Sequence, residues 1–110
     1  MIAQILHASC IAVQGRGVLI MGRSGAGKSA LALQLMAYGA DLVSDDRTEL
    51  TAEGAHLIAR PPQAIRGVIE ARGLGLLQAA FAAQATIALV VDLDQTETTR
   101  LPPERRVTLL

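Results

Sequence analysis

One segment constrains the fold more than any other. Gly22-Arg23-Ser24-Gly25-Ala26-Gly27-Lys28-Ser29 fills every position of the G-x-x-x-x-G-K-[ST] pattern. Such a loop works between a strand that enters it and a helix that leaves it. The flanks agree: Gly17-Val18-Leu19-Ile20-Met21 reads as a buried strand, and Ser29-Ala30-Leu31-Ala32-Leu33-Gln34-Leu35-Met36 as a helix. The glycines let successive backbone N–H groups point inward at phosphate oxygens, and the helix N-terminus adds partial positive charge. In that arrangement Lys28 reaches the β- and γ-phosphates and the Ser29 hydroxyl binds Mg²⁺. The loop therefore predicts an α/β chain with a nucleotide ligand. The competing reading, a glycine-rich turn before an ordinary helix, leaves the placement of Lys28 and Ser29 without a reason.

Composition sets the bounds. A chain of 110 residues is expected to form one domain, and with 51% hydrophobic but only 2% aromatic residues its core must be aliphatic. A formal net charge of zero gives no electrostatic footprint for nucleic acid or an acidic membrane. The lone Cys10 cannot form an internal disulfide and fits a reducing cytoplasm, and no Cys/His cluster suggests a metal centre. Met1-Ile2-Ala3-Gln4 lacks the basic start of a signal peptide. The apolar stretch 76–91 is interrupted by Gln78, Gln84 and Thr86 and is short for a bilayer, so it reads as a helix followed by a core strand.

Along the chain, residues 4–13 read as a first strand, Gln14-Gly15-Arg16-Gly17 as a turn and residues 18–21 as a second strand. A hairpin feeding the phosphate loop differs from the usual parallel opening of P-loop enzymes. The helix over residues 28–38 places Leu31, Leu35 and Tyr38 on one face, with Gly39 as its stop. A short strand over 41–44 runs into Asp45-Asp46. Segments 47–50 and 56–59 flank Thr51-Ala52-Glu53-Gly54 as a second hairpin. Pro61-Pro62 starts a short helix through Ile65, residues 78–83 read as helix, 87–93 as the strongest strand, and 96–106 as a loop. Residues 107–110 read as the start of a strand.

Phosphoryl transfer also needs a proton acceptor and a further magnesium contact. Three acidic places are candidates. Asp92 ends a hydrophobic strand, the shape of a Walker B element. Asp45-Asp46 follows the strand after the loop helix; on an extended backbone neighbours point to opposite faces, so one is expected to face the phosphates while the other pairs with Arg47 or caps a turn. Glu70 and Arg72 share a face if extended, a carboxylate for Mg²⁺ and a guanidinium for phosphate. Each has a plainer reading: a strand end, a solvated turn and a surface ion pair. His7, in an apolar strand, is either structural or tunes a carboxylate near neutral pH. Arg23 projects to phosphate or to solvent, and His56 has no assigned role.

Taken in order, His7, the hairpin, Gly22 to Ser29, Leu42-Val43-Ser44-Asp45-Asp46-Arg47 and Glu70-Ala71-Arg72-Gly73-Leu74-Gly75 resemble the catalytic domain of HPr kinase/phosphorylase, in the short alphaproteobacterial-type form. The resemblance runs from about His7 to Leu77 and continues more weakly through the strand at 87–93. It implies a phosphoenolpyruvate carboxykinase-like P-loop fold, a mixed barrel-like sheet with flanking helices. It also implies transfer of phosphate from ATP, with Mg²⁺, to a serine of HPr, a small phosphocarrier protein, and the reverse phosphorolysis. Residue by residue it puts Lys28 on the phosphates, Ser29 and Glu70 on Mg²⁺, Asp46 as proton acceptor and His7 beside it, with Arg72 in the ligand-binding segment. Residues 1–110 are then expected to be a single kinase catalytic domain that stops before a carboxy-terminal loop carrying a further Arg. A homo-oligomer is left open. Ala8-Ser9-Cys10 follows His7 where a glycine is more typical. Two rivals stand beside this reading: an ATP-binding regulatory module of the same fold without catalysis, and an ordinary small-molecule P-loop kinase.

Overall fold

A computed structural model describes residues 3–71, 73–95 and 109. Seven strands form one mixed, curled sheet: β1 (Ala3–Leu6), β2 (Ala8–Val13), β3 (Arg16–Met21), β4 (Asp41–Ser44), β5 (Thr48–Glu53), β6 (His56–Arg60) and β9 (Ala85–Asp92). Between the last two, β7 (Val68–Ala71) and β8 (Gly75–Gln78) make a separate hairpin. The strand order is β1-β5-β6-β9-β3-β2-β4, and every pairing is antiparallel except β3 with β9. The barrel-like mixed sheet expected from the sequence is therefore the one found. Helix α1 (Lys28–Ala37) is the single α-helix among the described residues, with a 3-10 turn at Gln63–Ile65.

The first hairpin forms for a local reason. Val13 pairs with Arg16, leaving a two-residue turn in which Gln14 and Gly15 both have positive φ, +52° and +79°. That combination gives the twist two antiparallel strands need. The expected turn thus tightens, and Arg16 and Gly17 join β3. A second hairpin, β5–β6, closes at Glu53 opposite His56, so Thr51, Ala52 and Glu53 are strand rather than turn.

The first expected strand is two strands, and the break falls at His7. Before it, β1 pairs with β5; after it, β2 lies between β3 and β4. The Thr48 hydroxyl donates to the Ala8 carbonyl at 2.7 Å and pins the junction. Alternation along β2 then divides the core. Ala8, Cys10 and Ala12 join Leu19, Val43, Leu50, Ala59 and Ala85 on one face. Ile11 joins Ile20, Leu42, Ala32 of α1 and Ile69 of β7 on the other, which is the face carrying the phosphate loop.

Helix α1 ends by a Schellman motif: Gly39 N–H donates to the Met36 carbonyl and Ala40 N–H to Leu35. Tyr38 is its C-cap and is exposed, so it does not continue the Leu31–Leu35 face as expected. The expected helix over residues 78–83 does not form either: Gln78 ends β8 and residues 79–83 are not helical. Six residues are too few to nucleate a helix alone, and their backbone is engaged elsewhere: Ala79 N–H bonds Gly67 O, and Ala82 N–H bonds Leu42 O. Phe81 bridges to Leu42 at the sheet edge. No helix among the described residues is long and apolar enough to cross a membrane.

Candidate active site

The parallel pair β3–β9 sends the chain from Met21 into the phosphate loop. Gly22 leaves little room for a side chain, since a Cβ there would lie 3.1 Å from Ala26 Cβ and 3.2 Å from Leu93 Cβ, tighter than ordinary contact. Ala26 N–H closes a turn on the Arg23 carbonyl. Gly27 caps α1 from the left-handed region at φ +104°, and neither a side-chain cap nor an acidic residue occupies the first turn. The helix N-terminus therefore keeps its donors and its positive end for an anion. Lys28 is buried, and its ammonium donates to the carbonyls of Gly22 at 2.7 Å and Arg23 at 3.0 Å.

The two aspartates arrive from the end of β4, and both reach the site. Asp45 is 8% exposed. Its Oδ1 accepts from the Ser29 hydroxyl at 2.6 Å and the Ser9 hydroxyl at 2.9 Å, while Oδ2 accepts the Glu70 N–H at 3.0 Å. Asp46 Oδ1 lies 3.0 Å from His7 Nε2 and 3.8 Å from Lys28 Nζ. The expectation that one aspartate would turn away assumed continued strand alternation. Instead Asp46 has φ +64°, and Arg47 N–H donates to the Asp45 carbonyl across it at 2.7 Å. This three-residue turn, the strained form of the γ-turn, redirects the second carboxylate into the same site. The Ser44 hydroxyl donates to the Arg47 carbonyl and closes the turn from below.

The donors present suit a small, hard cation. Ser29 and Asp45 offer adjacent oxygen ligands at the end of the phosphate loop, and Glu70 adjoins them through its backbone. Among the described residues no cluster of three or more His, Cys, Asp or Glu side chains forms a metal cage. Mg²⁺ commonly takes one or two carboxylates and completes its shell with water and substrate phosphates, so this sparse set fits it.

The family model of the HPr serine kinase C-terminal domain matches residues 2–106. The chain belongs to this family. Relatives named HPr kinase/phosphorylase include those of Bordetella pertussis, 47% identical over 66% of this chain and 24% of that protein, and Aromatoleum aromaticum, 39% identical over 91% and 36%. The chain thus spans about a quarter to a third of the length of the curated relatives it matches. The solved HPr(Ser) kinase/phosphatase of Coxiella burnetii superposes with a TM-score of 0.76 at 30% identity, covering 92% of this chain and 71% of that one.

Within this domain, His7, Lys28, Ser29, Asp46 and the backbone of Glu70 meet around one loop. The Glu70 carboxylate is exposed and makes no hydrogen bond among the described residues, and Arg72 lies outside them. Asp92 ends β9 opposite Met21, where a Walker B residue would stand. Its carboxylate instead accepts from Asp94 N–H and Gln95 Nε2, both at 2.9 Å. The loop so fixed brings Asp94 to Arg23, whose backbone N–H bonds Asp94 Oδ2 at 2.9 Å and whose guanidinium lies 3.4 Å from Oδ1. Arg23 is therefore directed along the loop's outer side. One participant escaped the sequence reading: Ser9 gave no signal beyond being a hydroxyl in an apolar strand, whereas Asp45 stood beside Asp46 among the acidic candidates.

Proposed function

We propose that this domain transfers the γ-phosphoryl group of ATP, in the presence of Mg²⁺, to a serine of an HPr-type phosphocarrier protein in the cytoplasm. The observation that carries the reading is the Asp46 carboxylate, half-exposed and set between His7 Nε2 and Lys28 Nζ at the mouth of the phosphate loop. His7 holds one carboxylate oxygen, and the other remains to accept the acceptor serine's proton. As the serine oxygen bonds to the γ-phosphorus, the bond to the β,γ-bridging oxygen breaks and ADP leaves. Lys28 and the loop N–H groups stabilise charge on the transferred group and on the leaving phosphate. Mg²⁺ held by Ser29, with Asp45 and Glu70 beside it, would neutralise phosphate charge. In the reverse sense inorganic phosphate takes the phosphoryl group from phosphoserine, Asp46 returns the proton, and pyrophosphate forms.

The reading is supported by the family match, by the names of the relatives, and by the convergence of a phosphate loop with a proton acceptor. The test is intact-mass analysis of a purified HPr-type carrier incubated with the full-length protein, ATP and Mg²⁺. A single phosphoryl group mapped to serine is the expected result. Calorimetric ATP binding with no phosphate on the carrier would overturn the proposal in favour of an ATP-binding regulatory module.

A further inference from the structure

We infer that Ser9 is a positioning residue: its one hydroxyl fastens Asp45 and Asp46 to each other and sets the phosphate end of the site against the proton acceptor. The inference rests on the reaction proposed above. Ser9 lies on β2, fully buried, between the apolar residues Ala8 and Cys10. A hydroxyl in such a place is unfavourable unless it is satisfied. Here it is satisfied twice, in opposite senses. It donates to Asp45 Oδ1 at 2.9 Å and accepts the Asp46 backbone N–H at 3.0 Å. Only a group that is both donor and acceptor can do this, and an apolar side chain of the same size can do neither.

The geometry gives each bond a consequence. Asp46 occupies the strained centre of its turn at φ +64°, and that turn is closed by the Arg47 N–H, not by its own. The Asp46 N–H is held instead by Ser9, on a strand locked between β3 and β4. The catalytic carboxylate is thus anchored to the sheet rather than to its loop. The second bond goes to the same Asp45 oxygen that Ser29 uses, so the cation side and the proton-accepting side share one anchor. Ser9 touches neither nucleotide nor acceptor; it acts through the two aspartates.

The test compares Ser9→Thr, which keeps the hydroxyl, with Ser9→Val, which has the same shape without it, in the full-length protein. Two readouts are taken: exchange of the Asp46 amide proton by NMR, and steady-state transfer to the carrier. In Ser9→Val the Asp46 amide is expected to exchange roughly tenfold faster or more. Its kcat is expected to fall about 10- to 100-fold, with the nucleotide Kd within about twofold of wild type. Ser9→Thr restores both, and Ser9→Ala, which adds no atoms, follows Val. Equal amide protection in the Thr and Val variants, or equal kcat, overturns the inference. The amide readout needs no acceptor, so a wild-type protein that transfers nothing would refute the proposed function while leaving this comparison decisive.

Discussion

Replacing Asp45 by Ala will destabilise the domain far more than replacing its neighbour Asp46 by Asn. Asp45 is 8% exposed and accepts from the Ser9 hydroxyl, the Ser29 hydroxyl and the Glu70 N–H. Hydrogen bonds to a charged acceptor contribute about 1.5–3 kcal/mol each. The full sum is not lost, because hydroxyls can rotate to other partners and removing a buried carboxylate recovers desolvation. A net loss of about 3 kcal/mol remains, within the range for breaking a buried polar network. For a domain near this size that lowers Tm by roughly 10–20 °C. Asp46 differs. Its side chain is 52% exposed, Asn keeps an oxygen for His7, and Asn tolerates positive φ well, so Asp46→Asn is expected within about 0.5 kcal/mol of wild type. Thermal melts and urea titrations with unchanged m values check both. If Asp45→Ala melts within about 2 °C of Asp46→Asn, the buried network does not stabilise the fold as argued.

Three further outcomes follow from particular contacts. Gly67 has φ +73°, and a Cβ there would sit 2.8 Å from the Phe81 ring, so Gly67→Ala is expected to cost about 1–3 kcal/mol in urea unfolding, with Phe81→Ala recovering part of it. Gly22→Ala meets Ala26 of the loop and Leu93 just after β9; ATP affinity by calorimetry is expected to fall at least about tenfold, or about 1.4 kcal/mol. Burial pushes the Cys10 thiol from 9.0 up to about 12. The folded state therefore keeps its proton while the unfolded chain loses it, so stability is intact below about pH 9 and falls by about 1.4 kcal/mol per pH unit between there and pH 12. Cys10→Ala is expected to remove that slope from urea midpoints, and the native thiol to resist alkylation at neutral pH.

What could be read in advance was what neighbours in sequence decide. The first hairpin turn, the phosphate loop and the Gly39 stop each depend on a few adjacent residues; the loop and the stop stand where the pattern put them, and the turn lies within the expected segment, shortened to Gln14-Gly15. The split of the first strand at His7 depends on β2 finding β3 and β4 while β1 finds β5, which no local pattern records. The alanine-rich segment after Gln78 has helical propensity, but its N–H groups were taken by Gly67 and Leu42. The same limit governed the site. Lys28 and Ser29 announce themselves by spacing, whereas Ser9 lies 36 residues from the Asp45 it binds. The alternation rule failed at Asp46 because a positive-φ turn, not a strand, carries it.

The proposal turns on Asp46 receiving the acceptor's proton and on Asp92 not serving as a Walker B carboxylate. Asp46→Asn and Asp92→Asn, each shown by calorimetry to bind ATP, are compared for phosphoryl transfer to the carrier by intact mass. Asp46→Asn is predicted to bind nucleotide and transfer at least about 10²-fold more slowly, as expected for loss of a positioned proton acceptor. Asp92→Asn, whose parent carboxylate bonds only its own loop among the described residues, is predicted to keep most of the activity. Transfer that survives in Asp46→Asn and disappears in Asp92→Asn would contradict the account.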